Sequence, residues 1–179
     1  MRLFHLLLVS LVLCLVSCGG NSTPVDENVS LPKGDPAFPP LTTSWVIDQA
    51  HVLSPEIISQ GDAICQKLKE DGLAEVVVLT QFGVKQPQDY ATHYGRWLKL
   101  GKKGMSVEGG NNGIVWLIRP DADERVTISV GRGLPYFTSV DYSKIMKEAA
   151  DYLNFNNFNQ AVMIIIAGTD QFLRSRAKK

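Results

Sequence analysis

From Trp45 onward, the spacing of hydrophobic positions switches repeatedly between a helical and an extended period. Ser54-Pro55 opens the first helix: a serine supplies the N-cap oxygen, proline suits the first helical position, and Glu56 lies in the positive first turn. Ile57, Ile58, Gly61, Ile64, Cys65 and Leu68 then recur on one face, and Gly72 ends the run. Glu75–Thr80 is a short β-branched apolar run and predicts a buried central strand. Pro87 to about Leu100 returns to the helical period, with Tyr90, Tyr94, Trp97, Leu98 and Gly101 on one side. Ile114–Ile118 predicts a second buried strand. After a turn at Pro120–Asp123, Val126–Val130 alternates apolar and polar side chains, as a half-exposed antiparallel strand should. Asp141–Leu153 and about Asn157–Arg174 complete the pattern as two amphipathic helices. Helices interleaved with strands, plus one hairpin, predict a mixed sheet covered by helices on both faces.

Before Trp45 the pattern differs. Arg2 precedes an apolar run over residues 3–16, which ends at Leu15-Val16-Ser17-Cys18-Gly19. A basic start, a short apolar centre and small residues at its end are the marks of a secretory leader, and the run is shorter than the ~20 residues of a membrane-spanning helix. Leu15-Val16-Ser17-Cys18 resembles a bacterial lipobox, in which the cysteine sulfur takes a diacylglyceryl thioether and becomes the mature N-terminus. Residues 1–17 are therefore read as a signal peptide. Residues 18–44, rich in proline and small polar residues, are read as a lipidated N-terminus and flexible tether, and residues 45–179 as one α/β domain. Two or more acyl chains, palmitate among them, anchor a protein stably where one does not. Gly19 rather than an aspartate after the cysteine points to the outer membrane, on its periplasmic side, in a host with two membranes.

Composition narrows the partners. Lys+Arg and Asp+Glu number 18 each, and the leader removes only Arg2, so the processed chain is almost neutral. Its basic residues are scattered apart from a short C-terminal run, and nucleic-acid binding, which draws on clustered cations, is not expected. Cys14 leaves with the leader and Cys18 takes lipid, so Cys65 has no partner for an internal disulfide. It lies on the apolar stripe of the first helix and reads as a small core residue.

Several kinds of chemistry are absent from the sequence. The processed chain keeps His51 and His93 without zinc-ligand spacing. There is no G-x-S-x-G nucleophile turn, no phosphate-binding P-loop and no dinucleotide fingerprint. Asp121 and Asp123 lack the glycine and closing glutamate of a calcium loop. What remains is a pair of glycine-rich loops, Gly109–Gly113 leading into one hairpin strand and Gly131-Arg132-Gly133 leaving its partner. The start of one antiparallel strand and the end of its neighbour share a sheet edge, so the two loops should meet. Consecutive glycines either build an ion-binding concavity or simply satisfy tight-turn geometry.

Three blocks of sequence carry a resemblance. Val46-Ile47-Asp48-Gln49-Ala50-His51-Val52-Leu53-Ser54, Asn111–Ile118 and Arg125–Leu134 are together similar to the TPM domain family, which is found in a thylakoid lumen protein, a photosystem repair factor and a receptor modulator. The resemblance implies a three-layer α/β/α sandwich around a mixed sheet of about four strands. It also implies an exported or membrane-attached setting. Some members bind calcium, some are credited with phosphatase activity, and others act as assembly or modulatory partners. Carried over residue by residue, the implied site is Asp48, Asn111, Asn112, Gly131, Arg132 and Gly133, with Asp48 and Asn111 as the metal-facing pair. The chain departs from the family at Asn111, where an aspartate is usual, at Pro135, where an acid is common, and at Arg132, where a tyrosine is frequent. Calcium needs charged oxygens, so these departures imply no cofactor or only weakly bound calcium, and no assigned catalytic residue. The resulting expectation is a lipid-anchored, non-catalytic binding, assembly or modulatory factor whose partners are the membrane and another envelope protein. The alternative is a divalent-metal-dependent phosphatase.

Overall fold

The computed structural model describes residues 26, 28–40, 42–101 and 110–177. The expected leader over residues 1–17, Cys18 and Gly109 lie outside the described residues. Strand β1 (Val46–Asp48) is followed by α1 (Pro55–Glu70), β2 (Glu75–Thr80), α2 (Pro87–Trp97), β3 (Gly113–Ile118), β4 (Val126–Val130), α3 (Ser139–Asn154) and α4 (Phe158–Ala177). The four strands form one sheet in the order β1-β2-β3-β4. The first three are parallel, and β4 closes the hairpin antiparallel to β3, with Ile114 opposite Val130 and Ile118 opposite Val126. This is the three-layer α/β/α sandwich with a mixed sheet.

Alternation along the strands sorts the core onto two faces. Val76, Val78, Ile114, Trp116, Ile118 and Ile128 meet Cys65 and Leu68 of α1, Ile145 and Ala149 of α3, and Val162, Ile165 and Ile166 of α4. Ile47, Val77, Leu79, Val115 and Leu117 point the other way, onto Tyr90, Ala91 and Tyr94 of α2. One buried polar chain crosses between the layers: the Trp116 indole N–H donates to the Thr169 hydroxyl at 3.1 Å, which donates to the Ile165 carbonyl at 2.7 Å. Ile64, on the edge of the α1 stripe, is only half-buried. Burial drives the Cys65 thiol up to about 12, with Asp62 and Asp170 adding to the effect, so it is an inert core group.

Two features depart from the sequence reading. The first is β1, whose three residues are too few to show a period. The second is the proline-rich stretch, since residues 28–40 do not form a free tether. They pack along α2. Phe38 lies against Tyr90, Tyr94 and Trp97, with ring centroids 5.3–5.5 Å apart. The nearly buried Asp35 carboxylate accepts the Lys85 and Gln86 N–H groups, at 2.6 and 3.2 Å. It thereby caps the start of α2, where Gln86 makes no side-chain cap of its own. The Tyr90 hydroxyl donates to the Ala37 carbonyl and the Gln86 amide to that of Lys33, at 3.1 and 2.8 Å. The strap turns once at Pro32–Asp35, where the Asp35 N–H donates to the Pro32 carbonyl at 3.2 Å and Gly34 takes φ 84°, and the Phe38 ring pins it to α2.

The connections β1-α1-β2 and β2-α2-β3 step the same way across the sheet, yet α1 and α2 lie on opposite faces. The two crossovers therefore have opposite hands, and one is of the rare left-handed kind. No helix among the described residues is long and apolar enough to cross a membrane.

Candidate functional site

The two glycine-rich loops do meet. The Gly131 N–H donates to the Gly113 carbonyl at 2.8 Å, and the Gly133 N–H to the Asn111 carbonyl at 3.0 Å. A Cβ on Gly131 would collide with the carbonyl of Asn111, and one on Gly133 with that of Gly110. The glycines are thus required by the close approach of two backbone segments. Asn111 takes a left-handed backbone conformation, φ 55°, which asparagine tolerates better than most residues. Asn112 is buried, its amide donating to the Leu73 carbonyl at 3.3 Å and its own carbonyl accepting the Glu75 N–H at 3.1 Å. Asn112 therefore ties the loop to the start of β2.

Asp48 does not join this edge. It pairs in register with Thr80, which pairs with Ile118, whereas the glycine loops adjoin Gly113 at the other end of β3. Five strand steps separate the two ends, about 16 Å at ~3.3 Å per residue. The Asp48 carboxylate is used within the chain: it accepts the Val52 N–H at 3.2 Å, the Leu53 N–H at 2.9 Å and the Thr80 hydroxyl. These bonds shape the turn into α1, where His51 has φ 53°. Asp48 and Asn111 therefore cannot ligate one ion. Among the described residues no three His, Cys, Asp or Glu side chains gather closely enough to hold a metal. The carried-over donor set does not fit a calcium ion.

A cleft of about 440 Å³ opens beside the glycine loops. One wall is α2, with Gln88, Thr92 and Arg96; the floor is Val115 and the outer edge of β4; and Asn111, Arg132 and Tyr142 complete the rim. Thr92 and Ser129 share a hydrogen bond of 3.1 Å, and the Gln88 amide donates to the Ile128 carbonyl at 3.2 Å. Among the described residues the lining holds two guanidinium groups and no carboxylate, a composition suited to anionic groups rather than cations. Of the residues expected from the sequence, Asn111, Gly131 and Arg132 border this cleft. Gln88, Thr92, Arg96 and Ser129 were not foreseen. Arg96 is a surface residue of an amphipathic helix, and only the polar phase of Val126–Val130 hinted at Ser129.

A three-layer sandwich whose glycine loops are packed at one edge of a β3–β4 hairpin defines the class of domain. The chain matches the TPM domain family over residues 46–172, and it belongs to that family. The fold is shared with the N-terminal domain of a Porphyromonas gingivalis protein solved by NMR (P.gingivalis), at 20% identity and a TM-score of 0.65, over 75% of this chain and 84% of that one. It is also shared with the N-terminal domain of the cg2496 protein of Corynebacterium glutamicum, at 14% identity and a TM-score of 0.54, over 75% and 82%. No curated protein matches the chain. The strap at residues 28–40 precedes the family match.

Proposed function

We propose that this chain is a lipid-anchored binding or assembly module of the cell envelope, whose TPM domain takes an anionic partner group in the cleft beside β4. The observation that carries the reading is the cleft lining: the exposed Arg96 with amide and hydroxyl side chains and, among the described residues, no carboxylate. The placement of Asp48 supports it, because the acid that a metal-assisted phosphatase would need is engaged elsewhere in the fold. The lipobox-like sequence before Cys18 supports the anchor. The decisive experiment pairs crosslinking of the full chain in its own envelope with an assay of the purified chain on p-nitrophenyl phosphate, with and without calcium or magnesium. Capture of an envelope protein, reduced by Arg96→Glu, with no chelator-sensitive hydrolysis, is the expected result. Metal-dependent turnover that EDTA abolishes would replace this reading with the phosphatase.

A further inference from the structure

The two edges of the sheet are treated differently. At β1, the Asp62 carboxylate accepts the Trp45 and Val46 N–H groups at 2.7 and 2.8 Å, and the Ser44 hydroxyl lies 2.8 Å from the Val46 carbonyl. Side chains thus blunt that edge, as natural sheets commonly do. At β4, among the described residues, they do so at one point. The bonds from Gly131 N–H to Gly113 and from Arg119 N–H to Arg125 mark the hydrogen-bonded pairs of the hairpin. With a period of two, Thr127 and Ser129 also face β3, so Val126, Ile128 and Val130 turn their N–H and C=O groups outward. Among the described residues, the one partner of these groups is the exposed Gln88 amide on the Ile128 carbonyl, a flexible side chain that is easily displaced.

Resting on the binding reading above, we infer that β4 is a docking edge for an extended acidic peptide of a partner protein, which adds as a fifth strand and alternates acidic with apolar side chains. The alternation follows from the grooves on either side. Successive side chains of an added strand point to opposite faces. On the α2 side they meet the exposed Arg96, and among the described residues that lining holds no carboxylate. On the α3 side lies a second cleft of about 500 Å³, where Val126, Met146, Ala150 and Leu153 give the apolar lining beside Asp123, Glu124, Arg125, Lys147 and Asn154. Main-chain pairing supplies attachment, and the two grooves supply selection.

The test uses the full chain and a capped, fluorescein-labelled seven-residue peptide alternating glutamate and valine, with a lysine-valine peptide as control. Anisotropy should show binding of the acidic peptide and not of the basic one, and hydrogen exchange at the Ile128 and Val130 amides should slow on binding. Val130→Pro removes an outward N–H and Arg96→Glu reverses the groove charge; each should weaken binding at least about ten-fold. Arg96→Glu, at an exposed position, keeps the test valid if the proline variant misfolds. Absence of binding, indifference to both variants, or protection mapping elsewhere would overturn the inference. So would concentration-dependent protection of these amides in the free chain, which would assign the edge to a second copy. A native partner crosslinked through the cleft without protection of the Ile128 and Val130 amides would end this inference while leaving the binding reading intact, whereas metal-dependent hydrolysis would end both.

Discussion

Three residues show how far identity alone determines role. Cys18 is proposed as the lipid acceptor because only a thiol forms the thioether. Cys18→Ser should leave the chain unprocessed or soluble, while Cys14→Ser should change nothing, with intact-mass spectrometry as the check. Cys65 has the same side chain and the opposite fate. Its thiol, held up at about 12 by burial, ionises on unfolding at its ordinary value of 9.0. A raised folded pKa means that this group's stabilisation is complete below pH 9.0 and is lost as pH rises from there toward 12. Urea midpoints of the native chain should therefore fall between pH 9 and 10 more steeply than those of Cys65→Ala, and thiol reagents should label Cys65 only once urea opens the fold. Asp48 matches the family motif, yet its oxygens close a turn. Its motif position was legible in the sequence; the use of its oxygens was not, because their partners, Val52, Leu53 and Thr80, are chosen by backbone path.

At the scale of elements, α2 depends on the strap that precedes the family match. Its first turn is capped from outside by Asp35, and its outer aromatic face is covered by Phe38. Phe38→Ala should cost roughly 2 kcal/mol, below the ~3–5 kcal/mol of a fully buried phenylalanine, since this ring is half-buried. Asp35→Ala should cost about 1 kcal/mol as a lost cap. Thermal unfolding reads both, and a freely moving tether would return the wild-type midpoint for each. By contrast α3 carries its own cap, the Thr138 N–H and hydroxyl both donating to the Asp141 carboxylate, at 3.0 and 2.7 Å. Local capping of that kind is visible in sequence; capping by a residue fifty positions away is not.

Across the whole molecule, the two ends of the sheet are chemically separate, and this sets the metal prediction. Asn111→Asp adds a carboxylate about 16 Å along the strands from Asp48, so it should not produce a site shared with it. Calorimetry of the native chain should show calcium binding no tighter than the ~millimolar end of protein sites, with little change in Asn111→Asp. Asp48→Asn should instead cost ~1–3 kcal/mol through its disturbed, part-buried hydrogen bonds, read as a lower melting temperature with or without calcium. Micromolar binding that both substitutions alter would show that the ends communicate.

Read on its own, the sequence determined the four helices and the strands β2, β3 and β4. It also specified the meeting of the two glycine loops, because the 3.6- and 2-residue periods, the Ser54-Pro55 start and the hairpin order are local information. It determined Cys65 as core and Val78 as buried, since both sit mid-stripe in unbroken apolar patterns. The tertiary structure decided what depends on contacts distant in sequence. It made a strand of Val46–Asp48 by pairing it with β2, and it turned a proline-rich stretch into a strap because Phe38 finds three rings on α2. It set α1 and α2 on opposite faces, giving the two crossovers opposite hands. It also separated Asp48 from Asn111, because a motif records which residues are present, while the direction and register of parallel strands decide at which end of the sheet each one lies.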